Sequence, residues 1–410
     1  MRLRDRAAAW WKARRRRLGA GLLALGAGAG CVTVPVQPGE DDAANPRVAP
    51  RLVHELRHAE VVSGLDLSPD GEMLASASAD GAVVLWSVAT GTPLGPPLEG
   101  GFRLKPPSRM HPRTLEGSVA FSSRGDLLVY TGGGRVAAWD VATRKAAYRA
   151  EGLHVSRAAF SPDGRSLALA TRQGLLLVDL ASGTVNDSCA TGRVTAVAFS
   201  PDGRTVATLG RRGLTLCRDP HWSPLIVPFR AGGPRVKEPD LAFSPDGRTI
   251  AWGGSGADSV TLVDTDTGRT REIAFQSRSF DLSGVHQLTF SPDGSLLAML
   301  QIDSDVELWR LTEPPQRVAT LRRESDLYGS RSHPERDLSF SADGRRLAYG
   351  RGRCTLSSVL TGPVTVRDLE TLGDRRRPVI EIPGAVLRLS SSWRVGATAA
   401  SRVVSLWHLE

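Results

Sequence analysis

Residues able to do chemistry are scattered along this 410-residue chain. The eight His stand at 54, 58, 111, 154, 221, 286, 333 and 408, and no pair has the spacing that puts two metal ligands on one element. There is no Cys-x-x-Cys-His to attach a haem and no Gly-x-Ser-x-Gly to expose a nucleophile. No Gly-rich loop ends in Lys-Ser/Thr to cradle a phosphate. Asp264-Thr265-Asp266-Thr267-Gly268 alternates carboxylates as a calcium loop does, but further ligands and a distal Glu are missing, so it reads as a turn. No catalytic residue, metal ligand or cofactor is assigned, and the chain is read as a non-enzyme. Four Cys remain. Cys31 stands apart from Cys189, Cys217 and Cys354. An odd set of three leaves at least one thiol free or paired outside the chain. Cys189 and Cys217 can bond in an oxidising compartment, or all three stay as buried thiols.

The long basic insertions are the other candidates. Gly100–Gly117 holds Arg103, Lys105, Arg109, His111 and Arg113 among prolines. Ala231–Asp240 holds Arg235 and Lys237, and Arg322–Arg336 holds Arg322, Arg323, Tyr328 and Arg331 beside Glu324 and Asp326. Loops of such length are uncommon unless they serve a function or are solvated surface. Their shared sign suggests a mildly basic protein-binding face.

What positions these segments is a repeat. Leu67-Ser68-Pro69-Asp70-Gly71 recurs in worn form at Phe121–Gly125, then at Phe160–Gly164, Phe199–Gly203, Phe243–Gly247, Phe290–Gly294 and Phe340–Gly344. The closing glycines are 54, 39, 39, 44, 47 and 50 residues apart. A period of roughly 40–45 residues is that of a four-stranded propeller blade. Pro sets φ for the first corner of a turn, Asp bonds its own backbone, and Gly takes the left-handed corner. Alternating strands flank each phrase, as in Val194–Phe199 and Ser166–Ala170. The unit is therefore strand, turn, strand, turn, strand, turn, strand. A degenerate eighth copy spans Leu387–Ser392 and Val403–Trp407. It lacks a fourth strand, which Arg51–Leu56 can supply, closing the ring without a free edge. The expected fold is all-β: a propeller of eight blades, or seven if the last repeat is no blade, with essentially no helix after residue 30. The three insertions all join one blade to the next, so they emerge on one face.

The repeat resembles the WD40 family over about residues 51–410. Trp139-Asp140 is its Trp-Asp pair, and related strands end at Trp86, Trp309 and Trp407. The third strands of repeats three, four and five carry no such Trp. Repeat one is the most complete: His58 matches the family's His, Asp80-Gly81 its tight turn, and Trp86 its Trp. The resemblance implies a hydrogen-bonded network of His58, Ser76 or Ser78, Asp80 and Trp86 that staples the blade. It also implies an interaction platform. Eight-bladed propellers that hold quinone or haem cofactors make an enzyme the alternative, and a subunit of an envelope assembly complex is a third reading.

The first thirty residues explain the charge. The formal net charge is +9, but residues 1–30 carry eight basic side chains and one acidic, leaving +2 for the remainder. Nucleic-acid binding is not expected. The basic run to Arg17 and the apolar Leu18–Gly30 fit an export signal, since that stretch is shorter than the ~20 residues of a spanning helix. Gly28-Ala29-Gly30-Cys31 resembles the cleavage box of bacterial lipoproteins, which implies lipidation of Cys31. The expected organisation is a signal over 1–30, a lipidated Cys and tether over 31–50, and the propeller over 51–410. The expected place is the cell envelope, held by lipid on the periplasmic side of the outer membrane, with a secreted protein as the alternative.

Overall fold

The computed structural model describes residues 50–409 apart from 99–116, 133, 212, 220–222, 229–236, 276–283, 302–304, 322–337, 351–352, 355–359, 362–363, 371–379, 383–385, 390–393 and 401. The chain divides into two units, Met1–Ala44 and Asn45–Glu410. All regular structure among the described residues of the second unit is β-strand. Among the described residues eight antiparallel sheets of three or four strands follow one another along the chain, so the protein is an eight-bladed β-propeller. We number the blades 1 to 8 from Val62.

Each blade is built as the repeat predicts. In blade 4, Val194–Phe199, Thr205–Gly210, Gly213–Arg218 and Ser223–Pro228 pair in sequence order. The Ser-Pro-Asp-Gly phrase joins the first two strands. Gly203 takes φ +73°, and its N–H donates to the Ser200 carbonyl at 2.9 Å. A Cβ on Gly203 would stand 3.4 Å from Cδ of Pro162, the proline of the preceding blade's turn. The same approach recurs at Gly247 with Pro201, Gly294 with Pro245 and Gly344 with Pro292. The turns therefore stack blade upon blade.

The second strands show why the ring is closed. In blade 3, Leu167, Ala168, Leu169 and Ala170 are all buried, because both faces of the sheet are covered. Leu167 and Leu169 pack with Val129, Val136 and Ala138 of blade 2. Ala168 and Ala170 pack with Val194 and Val206 of blade 4. Eight such clusters each join a pair of neighbouring blades, the last joining blade 8 to blade 1. Each fully buried Leu contributes about 2 kcal/mol by leaving water.

Closure uses the start of the unit. Arg51–Arg57 is the outer strand of blade 8 and runs antiparallel to Val403–His408, with Leu52 opposite Trp407 and Leu56 opposite Val404. Blade 1 departs from the four-strand pattern. Its sheet has three strands, Val62–Leu67, Met73–Ser78 and Val83–Ser87, and the outer strand shrinks to the bridges Val83–Leu98 and Trp86–Pro93. Pro93, Pro96 and Pro97 lack the N–H groups that a continuous ladder needs. In blade 7 a short hairpin, Arg353–Cys354 with Leu360–Thr361, interrupts the path between the second strand and the third.

Candidate functional site

Blade 1 carries the polar constellation. Ser76 lies on the second strand, opposite Val84, and Trp86 on the third. The Trp86 indole N–H donates to Ser76 Oγ at 2.7 Å, and Ser76 Oγ bonds His58 Nε2 at 2.7 Å. The His58 ring meets Trp86 edge-on at 5.6 Å between centroids. Burial holds the His58 ring below its ordinary pKa, against the raising charge of Asp80. Asp80 accepts from Ser78 Oγ at 2.5 Å and from the Ala82 N–H at 3.0 Å. Burial alone would raise its carboxyl, but those two bonds and the His58 charge hold it below the usual value. Ser76, not Ser78, is thus the hydroxyl joining His to Trp, while Ser78 serves Asp80. Ser76 Oγ is shared between the Trp86 indole and the His58 ring, and Asp80 is tied to Ser78 and backbone, an arrangement that fixes the strands of the blade to one another.

The position of Ser76 recurs eight residues after the Ser of each turn, and its occupant decides how each Trp is held. Thr398 in blade 8 accepts from the Trp407 indole at 2.8 Å. Tyr130 in blade 2 is fully buried beside Trp139; its hydroxyl has no hydrogen-bond partner among the described residues and its pKa is pushed up by burial to about 12. Met299 in blade 6 offers no acceptor, and Trp309 instead donates to the carboxylate of Glu307 at 2.8 Å. Glu307 is 2% exposed and also takes Arg317 at 3.2 Å. Sequence reading passed over this triad. Its signal was a Glu between Val306 and Leu308, two residues before the Trp and so on the same face of the strand.

Blades 3 and 4 share a covalent link. Cys189, in the outer strand of blade 3, is bonded to the buried Cys217 in the third strand of blade 4, with 6.0 Å between their Cα atoms. Of the two states open at the sequence level for this pair, the disulfide is the one present.

The basic loop residues fall differently. Arg103, Lys105, Arg109, Arg113, Arg235, Arg323, Tyr328 and Arg331 lie outside the described residues, as does Cys31. Lys237 is a correction in placement: it opens the strand Lys237–Phe243 opposite Ser255, not the loop before it. A half-buried acid sits on the same strand. Asp240 accepts from the Leu288 N–H of blade 6 at 2.8 Å; burial raises its carboxyl, partly offset by the charge of Arg157 in blade 3. The Asp264–Gly268 segment is a turn, with Asp264 accepting from the backbone and hydroxyl of Thr267 at 2.8 and 2.7 Å. Among the described residues no group of three His, Cys, Asp or Glu could hold a metal ion.

Comparison with known proteins agrees with this geometry. The family model for the WD domain, G-beta repeat, matches residues 50–87 and 180–213. The repeat is WD40-like. The first match takes in the whole polar network of blade 1, and the second runs from the end of one blade's third strand to the start of the next's. The chain is also 52% identical over 48 residues to Protein Mut11 of Chlamydomonas reinhardtii, 12% of this chain and 13% of that protein. A match of that length is about one repeat, so it speaks to the blade and not to the whole relative. WD40 propellers are typically non-catalytic platforms that bind protein partners, and the networks found here staple strands in just that way.

Proposed function

We propose that this protein is a non-catalytic interaction scaffold, anchored by a lipid at Cys31 to the cell envelope, that presents one face of a rigid ring to a protein partner. The observation carrying the reading is the closed eight-bladed ring, in which the His58, Ser76 and Trp86 network of blade 1 joins strands of one blade. The Cys189–Cys217 bond supports an oxidising compartment, which is where an exported chain would fold. The apolar stretch before Cys31 supports the route there.

The test is crosslinking and capture from envelope membranes with the full chain as bait, beside a variant with Arg103–Arg113 replaced by a short Gly/Ser loop. A specific partner captured by the first and lost by the second supports the scaffold and its loop face. Capture of nothing by either, with visible absorption bands in protein from its native host, would favour the cofactor-binding alternative. The anchor is tested separately: Cys31→Ser should abolish incorporation of labelled fatty acid and release the chain from membranes.

A further inference from the structure

The described residues include a second basic surface, on blades 3 and 4. Arg172 stands in the turn between the second and third strands of blade 3, and Arg211 in the matching turn of blade 4. Arg193 lies in the connection that leads from blade 3 into blade 4. These three segments touch. The Val194 N–H donates to the Thr171 carbonyl at 2.9 Å, and the Gly192 N–H donates to the Gln173 carbonyl at 2.9 Å. A Cβ on Gly210 would stand 3.0 Å from the Arg193 carbonyl. Arg157 opens the first strand of blade 3 opposite Ala170, at the inner edge of the same cluster. All four side chains are exposed.

Positive charge predominates on this surface. Among the described residues the arginines at 172, 193 and 211 have neither ion pair nor side-chain hydrogen bond. Arg157 faces the charge of Asp240. Elsewhere the exposed arginines are more often matched: Arg271 pairs with Glu313 at 2.8 Å, Arg317 with Glu307 at 3.2 Å and Arg402 with Glu60 at 3.5 Å. Holding like charges together costs stability unless something else is gained. The Cys189–Cys217 bond fastens the same two blades. A charged surface pre-set on a stiff base loses little entropy when it binds.

We infer that Arg172, Arg193 and Arg211, with Arg157 at their inner edge, form a docking surface for a carboxylate-rich segment of a partner protein. Guanidinium forks match carboxylates two bonds at a time. The described neighbours on these turns are Ser156, Thr171, Gln173, Gly192 and Gly210, and among them there is no aromatic side chain on which a base could stack. Nor do they include a large exposed apolar residue of the kind that enters a bilayer; those lie on outer strands, as at Val185 and Ile226. The inference rests on the scaffold reading and narrows its partner to one with an acidic segment.

The test is fluorescence anisotropy of the full chain with a labelled peptide of ten alternating Glu and Gly. Arms with a ten-residue thymidine oligonucleotide and with phosphatidylglycerol vesicles run beside it. The expected result is saturable peptide binding that weakens with salt. It should be at least tenfold weaker in the Arg172→Glu, Arg193→Glu, Arg211→Glu variant and unchanged in an Arg165→Glu, Arg204→Glu, Arg248→Glu control. An unchanged melting temperature in both variants shows that they fold. Equal binding by the two variants overturns the inference, and so does tighter binding of the oligonucleotide or the vesicles. If the reversed variant still captures the same protein from membranes as the wild type, this surface is wrong and the scaffold reading stands.

Discussion

Blade 1 and blade 4 reach the same shape by different means. Blade 1 is held by direction: the Trp86 indole, the Ser76 hydroxyl and the His58 ring are bonded in series at 2.7 Å each. Blade 4 has no Trp on its third strand. Thr208 stands where blade 1 has Ser76, and its hydroxyl reaches only the Thr215 carbonyl of its own blade, at 3.5 Å. There, Leu209, Leu214 and Leu216 pack against Ile250 and Val263 of blade 5, and Cys217 is bonded to blade 3. Apolar packing is strong but undirected. The contrast teaches that the polar staple is one way to fix a blade's register and that a covalent link to the neighbour can stand in for it.

The largest effect should come from blade 1. Trp86→Ala removes a buried indole and should cost about 4 kcal/mol in chemical unfolding, whereas Trp86→Phe should retain much of that by keeping the ring's packing. If the two cost the same, the hydrogen bond and not the packing dominates, and the contrast sharpens. Breaking the Cys189–Cys217 bond comes next. It closes a loop of 28 residues, and Cys189→Ala with Cys217→Ala should lose about 3 kcal/mol. Hydrogen exchange should rise in blades 3 and 4 and stay level in blade 1; uniform loosening around the ring would break the comparison. Ser76→Ala leaves both the indole N–H and the His58 ring without their partner, and should cost about 2 kcal/mol. Thr208→Val should cost less than half as much, measured in the same denaturation series.

The smallest effect is on pH. His58 is held below its ordinary pKa by burial, so the folded state takes up its proton less readily than the unfolded chain does. Its contribution to stability is full above about pH 6.5, the unfolded value, and is lost as pH falls from there toward the folded pKa. Wild type should therefore lose stability between pH 7 and 5, and His58→Gln should lose less over the same range. The turn carboxylates, such as Asp163 and Asp202, are shifted downward, mainly by their Ser hydrogen bonds. Their contribution is present above the usual carboxylate value and lost only as pH falls below it, so the two windows separate.

The turns were legible because their chemistry is local and repeated. Pro, Asp and Gly each do one thing within four residues, and every intact copy ends in a Gly at φ between +71° and +76°. The Ser before them was noticed as spelling and not as chemistry. It donates to the Asp two residues on, at 2.5–2.6 Å in the intact copies, and accepts the N–H five residues on. Even the worn copy keeps such a bond, with Asp126 replacing the missing Asp at 2.7 Å from Ser122. The shrunken edge of blade 1 could have been read from Pro93, Pro96 and Pro97. The pairing of Cys189 with Cys217 could not, because it depends on how far one blade turns against the next. The arginine surface was hidden for a similar reason: its members come from separate turns that meet only in three dimensions.

The clasp between Arg51–Arg57 and Val403–His408 gives the chain a waiting time. Arg51–Arg57 has no partner until Val403–His408 has been made, about 350 residues later, so it must stay unpaired while the seven blades between them are synthesised. Neighbouring blades can assemble from contacts near in sequence, but the circle shuts in one late step between distant segments. Until then the unfinished protein is an open arc with a bare strand at each end. A helper that shields such strands would find its substrate here, and a slowed final step would show as aggregation rather than as a poorly folded blade.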